Sequence, residues 1–295
     1  MQTSEHFIKH DTMTQIIEMK SMIKDIPTDI EGIVKIVQNT LLHQHWAKQY
    51  GVELNEQKIS EVYVRPIDAK LKILNQKDIH TLLEPIPYDK KLIGICRDFS
   101  VLMSSLCREV GIPARVRCGF ADYFEEGKYI DHWVCEVWNS QENRWMMVDA
   151  QLDSYQQSTL EIDFNPLDIS FPHFITGEHA WLLCRNNTYN PDIFGIFKWW
   201  GYDYLRCNLI LDANSLVGMA MQPWDFWDGY KSLPIEVWTE DDFLKMDQLA
   251  NHMIHIDQDF DSFKKYIESN DRIKVPTDLS KVKNGLFEEN TFEEL

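Results

Sequence analysis

The chain has 295 residues, with 29 lysines and arginines against 47 aspartates and glutamates, so its formal net charge is −18. Hydrophobic residues make up 44% of it and aromatic residues 12%, which excludes a chain that is disordered throughout and allows a large core. The acidic balance argues against sequence-independent nucleic-acid binding, which needs a basic footprint, and against an anionic membrane surface. We therefore expect neither nucleic acid nor membrane as a partner.

The sequence also bears on location. No stretch approaches the roughly 18 uninterrupted apolar residues of a membrane-spanning helix. The N-terminal sequence MQTSEHFIKHDTMTQ has neither the basic region nor the apolar region of a secretory signal. The six cysteines lie mostly inside apolar runs and form no CxxC pair. These features predict a cytoplasmic protein with reduced thiols.

Residues 1–55 have a helical pattern, and we interpret them as an N-terminal helical segment. The spacing i, i+3, i+4, i+7, i+11 predicts a helix with Thr28 or Asp29 as its cap. The residues with this spacing are Ile30, Ile33, Val34, Val37 and Leu41. A weaker helical pattern precedes it, through Ile16, Ile17 and Ile23.

The pattern is less regular up to residue 94. Residues 61–65, with the sequence EVYVR, are typical of a short strand. Pro85 and Pro87 interrupt regular structure, which predicts a loop over residues 84–93. This predicted loop leads directly into the sequence GICRDFS.

From residue 94 onward the predicted elements are clearer. Apolar residues at helical spacing predict a helix over residues 96–110, ended by Gly111 and Pro113. Strand-like runs follow at residues 114–120, 132–138 and 144–148. The order of a helix and then antiparallel strands predicts an α+β fold, with this helix packed on an antiparallel sheet. We interpret residues 56–160 as the core domain.

Residues 161–295 are predicted to be a C-terminal extension packed on the core. A helix is expected around residues 257–268, and the rest is irregular in pattern and rich in aromatic residues. Tryptophans stand at positions 181, 199, 200, 224 and 227. We interpret them first as a second layer packed on the sheet. The alternative is the wall of a cleft for a peptide or sugar chain.

Three polar residues stand at the ends of the core elements. Cys96 opens the predicted helix, His132 opens a strand, and Asp149 follows the next strand. The N–H groups and dipole of a helix N-terminus lower a thiol pKa from about 8.5 to roughly 3.5–7.5. A histidine can hold the resulting ion pair, and an aspartate can fix the imidazole tautomer. Any one such residue is more often structural, so the hypothesis depends on all three together.

Three sequence blocks surround these residues: 94–115 (GICRDFSVLMSSLCREVGIPAR), 132–138 (HWVCEVW) and 144–150 (RWMMVDA). They resemble the transglutaminase-like superfamily of papain-related cysteine enzymes. The family places a cysteine at a helix start and GIPAR at its end, followed by H-x-W-x-E-V and W-x-x-x-D on strands. One departure is that Trp133 follows His132 directly. The resemblance implies a transglutaminase-like, papain-like core with Cys96 as nucleophile, His132 as acid/base and Asp149 as orienter.

The function implied by this resemblance is cysteine-dependent acyl transfer at amide bonds of a peptide or protein. Hydrolysis of a peptidase or amidase type is favoured because water needs no acceptor site, and transglutaminase-type transfer is the other outcome. The backbone N–H of Cys96 is one oxyanion donor, and Tyr63 and Trp46 are candidates for a side-chain donor. No metal and no cofactor are predicted. The alternative is a non-catalytic peptide- or glycan-binding module on the same fold.

Overall fold

The structure is a computed structural model that describes residues 4–284. These residues contain both helices and strands, so the fold is α+β as predicted. The α-helices are α1 (Ile30–Thr40), α2 (Glu56–Ser60), α3 (Ile67–Gln76), α4 (Cys96–Glu109), α5 (Ser154–Thr159), α6 (Gly177–Arg185), α7 (Tyr202–Leu216), α8 (Glu240–Ile254) and α9 (Phe260–Glu268). The strands are β1 (Leu41–His43), β2 (Leu92–Gly94), β3 (Ala114–Ala121), β4 (Tyr129–Asn139), β5 (Arg144–Val148), β6 (Phe174–Thr176), β7 (Phe194–Ile196), β8 (Trp199–Trp200), β9 (Asp225–Phe226) and β10 (Lys283–Asn284).

The chain divides into two compact units. The first unit contains residues 4–116 and 133–169, and the second contains residues 117–132 and 170–284. The chain passes from one unit to the other within β3 and again within β4. The division into segments 1–55, 56–160 and 161–295 stays a prediction.

In the first unit, a short parallel pair of strands leads into α4. Leu41 of β1 pairs with Leu92 of β2, and His43 pairs with Gly94 at the other end of the pair. Only Ile95 separates β2 from α4. Because parallel strands end at the same edge, the start of α4 lies beside the segment that follows β1.

The helices of the first unit form as their sequence patterns predict. The side chain of Asp29 accepts a hydrogen bond from Gly32 N–H at 2.8 Å, so Asp29 and not Thr28 caps α1. Helix α1 packs against α4. Helix α4 ends at Glu109, and Gly111 takes the left-handed conformation (φ +82°) expected after a helix C-terminus.

The first unit also contains an antiparallel hairpin. Strand β4 pairs with β5 from Cys135 opposite Val148 to Asn139 opposite Arg144. Asn143, in the turn between them, has a positive φ of +53°, a conformation that asparagine tolerates better than most residues. The hairpin places Asp149 directly after β5, which confirms the predicted order of these elements.

The second unit contains the pairings of β6, β7 and β8. Strand β6 pairs with β3 in antiparallel fashion, with Phe120 opposite Ile175. Strand β7 runs parallel to β4, with Tyr129 opposite Phe194, and antiparallel to β8. Helix α6 packs against both α7 and α8.

Two sequence predictions for residues 61–94 are wrong. Residues 61–65 contain a 3₁₀-helix, Glu61–Tyr63, and no strand. The predicted loop over 84–93 instead ends in β2, whose partner β1 lies about 50 residues away and leaves no local signal. In addition, the weak helical pattern before Pro27 produces only a 3₁₀-helix, Lys20–Ile23.

The prediction of irregular structure after residue 160 is also wrong, because α6, α7 and α8 lie there. Nearly every residue of α7 is buried, so it lacks the polar face that gives a helix its periodic signal. Trp181 and Trp227 are at most 1% exposed and belong to the interior of the second unit. The predicted helix over 257–268 is confirmed as α9. No helix of residues 4–284 is long and apolar enough to cross a membrane.

Candidate active site

Cys96 is the first residue of α4, as its sequence context predicts. Ile95 precedes it in an extended conformation (φ −122°, ψ 172°) and has no polar atom with which to cap the helix. The side chain is 8% exposed. The first N–H groups of a helix have no partner within the helix, and they stabilise an anion placed beside them. The position therefore favours the thiolate form of Cys96.

Asp98, two residues further on, fixes the backbone at this helix start. Its Oδ2 accepts a hydrogen bond from Ile95 N–H at 3.1 Å. A side chain at Gly94 would place Cβ only 3.0 Å from the same oxygen, so the carboxylate fits because residue 94 is glycine. Asp98 is not among the site residues predicted from the sequence. An acidic residue at the third position of a helix, which can bond back to the N-cap N–H, is the signal that points to it.

Asp149 lies in the first unit, immediately after β5. It is 1% exposed, and its Oδ1 accepts a hydrogen bond from Gln151 N–H at 2.9 Å. Its own N–H donates to the carbonyl of Pro166 at 2.9 Å. The first bond holds the carboxylate against the turn that follows β5, and the second holds the backbone of Asp149 at the strand end.

His132 lies in the second unit and does not open its strand, because β4 begins at Tyr129. The sequence pattern does not predict that β4 starts at Tyr129, because Tyr129 and Ile130 pair with β7, which lies far along the chain. The imidazole is 2% exposed. The ring of Phe124 lies edge-on to it at 4.9 Å between centroids, and that of Tyr123 at 5.8 Å.

The two candidates for a side-chain oxyanion donor lie on 3₁₀-helices of the first unit. Tyr63 ends the helix Glu61–Tyr63 and is 38% exposed. Trp46 lies on Gln44–Tyr50, the segment that follows β1, and its ring is edge-on to Tyr155 at 6.3 Å between centroids. Because β1 ends beside Gly94, Trp46 follows a strand that ends at the same edge as the strand before Cys96.

Residues 55–150 match the family profile described as Transglutaminase-like superfamily. Over this stretch the chain is similar to the transglutaminase-like core. The match includes the three sequence blocks, and it confirms the resemblance on which the prediction was based.

A further comparison is with a crystal structure described as that of "a Putative Cysteine Protease from Cytophaga hutchinsonii". The likeness covers 57% of this chain and 51% of that chain, with 17% identity and a TM-score of 0.20. The chain therefore spans about half the length of that protein. No curated protein matches this chain. The similarity to the transglutaminase-like superfamily rests on the family match over residues 55–150.

The other cysteines differ from Cys96 in position. Cys107 and Cys135 are fully buried in the first unit, and Cys118 is fully buried in the second. Burial raises the pKa of Cys107 and Cys184 to about 12 and that of Cys135 well above its usual value. No disulfide joins any of the six cysteines. Within residues 4–284, no group of three or more histidine, cysteine or acidic residues is arranged to hold a metal ion.

Asp131, next to His132, is buried in the second unit. Its Oδ1 accepts a hydrogen bond from Asn208 Nδ2 at 2.8 Å. Burial raises its pKa to about 6, while Asn208, His132 and Lys231 act in the opposite direction. In the unfolded chain the carboxyl group has an ordinary pKa near 3.8. The contribution of this carboxyl group to the free energy of unfolding is therefore fully present below pH 3.8 and is lost as the pH rises through 6.

This pKa shift gives a prediction for Asp131→Asn. The amide keeps an acceptor for Asn208 but carries no charge to desolvate, so the variant should be more stable than wild type at pH 8 by up to about 3 kcal/mol. The difference should disappear near pH 4. The measurement is urea unfolding at both pH values, followed by tryptophan fluorescence. Lower stability of the variant at pH 8 would contradict the prediction. Asp168→Asn, at a carboxylate whose pKa Arg144 lowers, should not show this gain.

Proposed function

We propose that this protein is a cysteine-dependent enzyme that transfers the acyl group of an amide substrate through Cys96, His132 and Asp149. The observation that carries the proposal is the position of Cys96 as the first residue of α4 within the transglutaminase-like core. The matched range also includes His132 and Asp149. Both are almost fully buried, so neither is a solvated surface residue.

The chemistry proceeds in two steps. The Cys96 thiolate attacks the amide carbonyl carbon, and the tetrahedral intermediate collapses to a thioester as the C–N bond breaks. His132, protonated in the ion pair, gives its proton to the leaving amine. A water molecule then attacks the thioester carbonyl carbon as His132 takes a proton from that water. The second tetrahedral intermediate collapses by breaking the C–S bond, which releases the carboxylic acid and restores the Cys96 thiolate. Asp149 holds the imidazole in the tautomer that both steps need.

Hydrolysis is the favoured outcome, and the substrate class is a peptide or protein. Transfer to a primary amine would follow the same first step, with the amine replacing water in the second. The two outcomes are separated by adding a fluorescent primary amine to a peptide substrate. Covalent incorporation of the amine supports transfer, and release of ammonia or a cleaved peptide without incorporation supports hydrolysis. The cytoplasmic location stays a prediction.

The oxyanion that forms in the tetrahedral intermediate needs donors. The backbone N–H of Cys96 at the start of α4 is one of them. We keep Tyr63 and Trp46 as the candidate side-chain donors, through the phenol O–H and the indole N–H. Tyr63→Phe and Trp46→Phe each remove the donor group and keep an aromatic ring, so a loss of kcat in one variant alone identifies the donor.

The proposal predicts that Cys96 is the most reactive of the six cysteines at pH 6. A thiol with an ordinary pKa is almost wholly protonated there, whereas one stabilised at a helix start is ionised. We expect Cys96 to react with iodoacetamide at least about tenfold faster than any other cysteine, as measured by mass spectrometry of the labelled peptides. The urea-unfolded protein, in which all six should react alike, is the control.

The same experiment tests the alternative of a non-catalytic peptide- or glycan-binding module. Such a module has no need of a thiolate. Equal and slow labelling of Cys96 and the other cysteines in the native protein would contradict the enzymatic proposal and favour the binding module.

A further inference from the structure

A fully buried cluster of charges lies at the start of α4. Lys70, Arg97 and Asp98 are all 0% exposed. Lys70 Nζ is 3.1 Å from Asp98 Oδ2 and donates to the backbone carbonyl of Glu61 at 2.8 Å. Arg97 Nη1 is 2.9 Å from Asp98 Oδ1 and donates to the carbonyl of Arg65 at 2.7 Å. Two cations thus share one carboxylate, within two residues of Cys96.

This cluster is not a balanced ion pair. Lys70 and Arg97 contribute two positive charges and Asp98 one negative charge, so the formal charge of these three residues is +1. The nearby carboxylate of Glu61 also acts on Lys70. Its Oε1 is 2.6 Å from Lys77 Nζ and its Oε2 accepts Ile93 N–H, so including both Glu61 and Lys77 leaves the formal charge at +1. Burial lowers the pKa of Lys70, and Asp98 beside it acts to raise that pKa.

We propose that Lys70 is a positioning residue for the Cys96 nucleophile, acting through Asp98. Together with Arg97 it pairs with the carboxylate that holds the Ile95 N–H, and it raises the formal charge of the cluster from 0 to +1. With Arg97, it leaves the helix start positively charged, which favours the thiolate. The inference rests on the proposed function of Cys96 and adds a residue that the three sequence blocks do not contain.

The proposal is tested by variants that change the charge of the cluster in steps. Counting Lys70, Arg97 and Asp98, the formal charge is +1 in wild type, 0 in Lys70→Met, +2 in Asp98→Asn and +1 again in the double variant. Methionine keeps the length of the lysine stem, and asparagine keeps an acceptor for Ile95 N–H. The pKa of the Cys96 thiol should therefore be highest in Lys70→Met, lowest in Asp98→Asn, and close to wild type in the double variant.

The measurement is the rate of iodoacetamide alkylation of Cys96 between pH 3.5 and 9, read from the labelled peptide. It needs no substrate. We expect the thiol pKa to rise by about one unit in Lys70→Met, because a charge near a titrating group shifts its pKa by roughly 1–3 units and Lys70 acts here across Asp98. A purely structural role would not restore the wild-type pKa in the double variant.

Arg108→Met is the matched control. Arg108 is a buried cation at the other end of α4, where Nη1 is 2.6 Å from Asp11 Oδ2. Its loss should lower stability without moving the thiol pKa.

An unchanged thiol pKa in all variants, or the same shift in Arg108→Met, would overturn the role of Lys70. If Lys70→Met does not fold, the predicted order of the Cys96 thiol pKa values is still tested by comparing Asp98→Asn and the double variant with wild type. An ordinary thiol pKa in wild type would instead overturn the proposed function, and the order among the variants would still be measured.

Discussion

Cys96→Ala should abolish turnover of any amide substrate while the protein stays folded. The thioester intermediate needs the sulfur, and removing the nucleophile of a serine triad costs about 10⁶ in kcat, so we expect a loss of at least about 10⁴. The fold should survive because the cap at this helix start comes from Asp98 and not from Cys96. The measurement is steady-state hydrolysis of a peptide substrate, with thermal unfolding monitored in parallel.

Cys107→Ala is the matched control for this prediction. Cys107 lies on the same helix, is fully buried, and has a pKa raised to about 12 by burial, so it has no thiolate to contribute. Its replacement leaves a small cavity and should cost about 1 kcal/mol of stability, with turnover unchanged. Wild-type turnover in Cys96→Ala would show that the nucleophile lies elsewhere.

Asp149→Asn should reduce turnover by a factor of roughly 10–10³ and leave substrate binding nearly unchanged. The amide can offer an N–H to the imidazole and so favour the wrong tautomer, a change that costs about 10⁴ in a serine triad. The expected loss is smaller here because a thiolate–imidazolium pair is already ionised and depends less on the third residue. The asparagine Oδ1 still accepts the Gln151 N–H, so the local turn should be kept.

A single-turnover measurement of acyl-enzyme formation tests this prediction directly. Asp153→Asn is the control, because Asp153 lies four residues further on and caps α5 through Gln156 N–H at 2.9 Å. That cap is kept by asparagine, and acylation should not change. Unchanged acylation in Asp149→Asn as well would reduce the proposed machinery to Cys96 and His132.

The core elements were predictable because their signals are local. Helix α4 has an apolar face at regular spacing, with a glycine and a proline after its end, and the strands that follow it have turn residues between them. The cysteine, histidine and aspartate were identified from the same stretch because the family pattern gives their residue types and spacing. Local propensity and pattern were enough for this part of the fold.

Elements held by distant partners were not predictable in this way. Strand β2 exists because it pairs with β1, and the start of β4 is set by its pairing with β7. Helix α7 is buried on nearly all sides, so its sequence shows no amphipathic period. In each case the free energy that forms the element comes from tertiary contacts, which the neighbouring residues in the sequence do not reveal.

The sequence by itself determined the α+β class, the helix that begins at Cys96 and the three polar residues proposed for catalysis. Only the tertiary structure decided how the start of that helix is stabilised. The sequence shows an isoleucine where a capping side chain would be expected, and Lys70 lies 26 residues before Cys96 on another helix. Burial of both partners makes the Lys70–Asp98 interaction strong, because a low-dielectric interior screens charges poorly. Such a pairing depends on how α3 packs against α4, which no local pattern specifies.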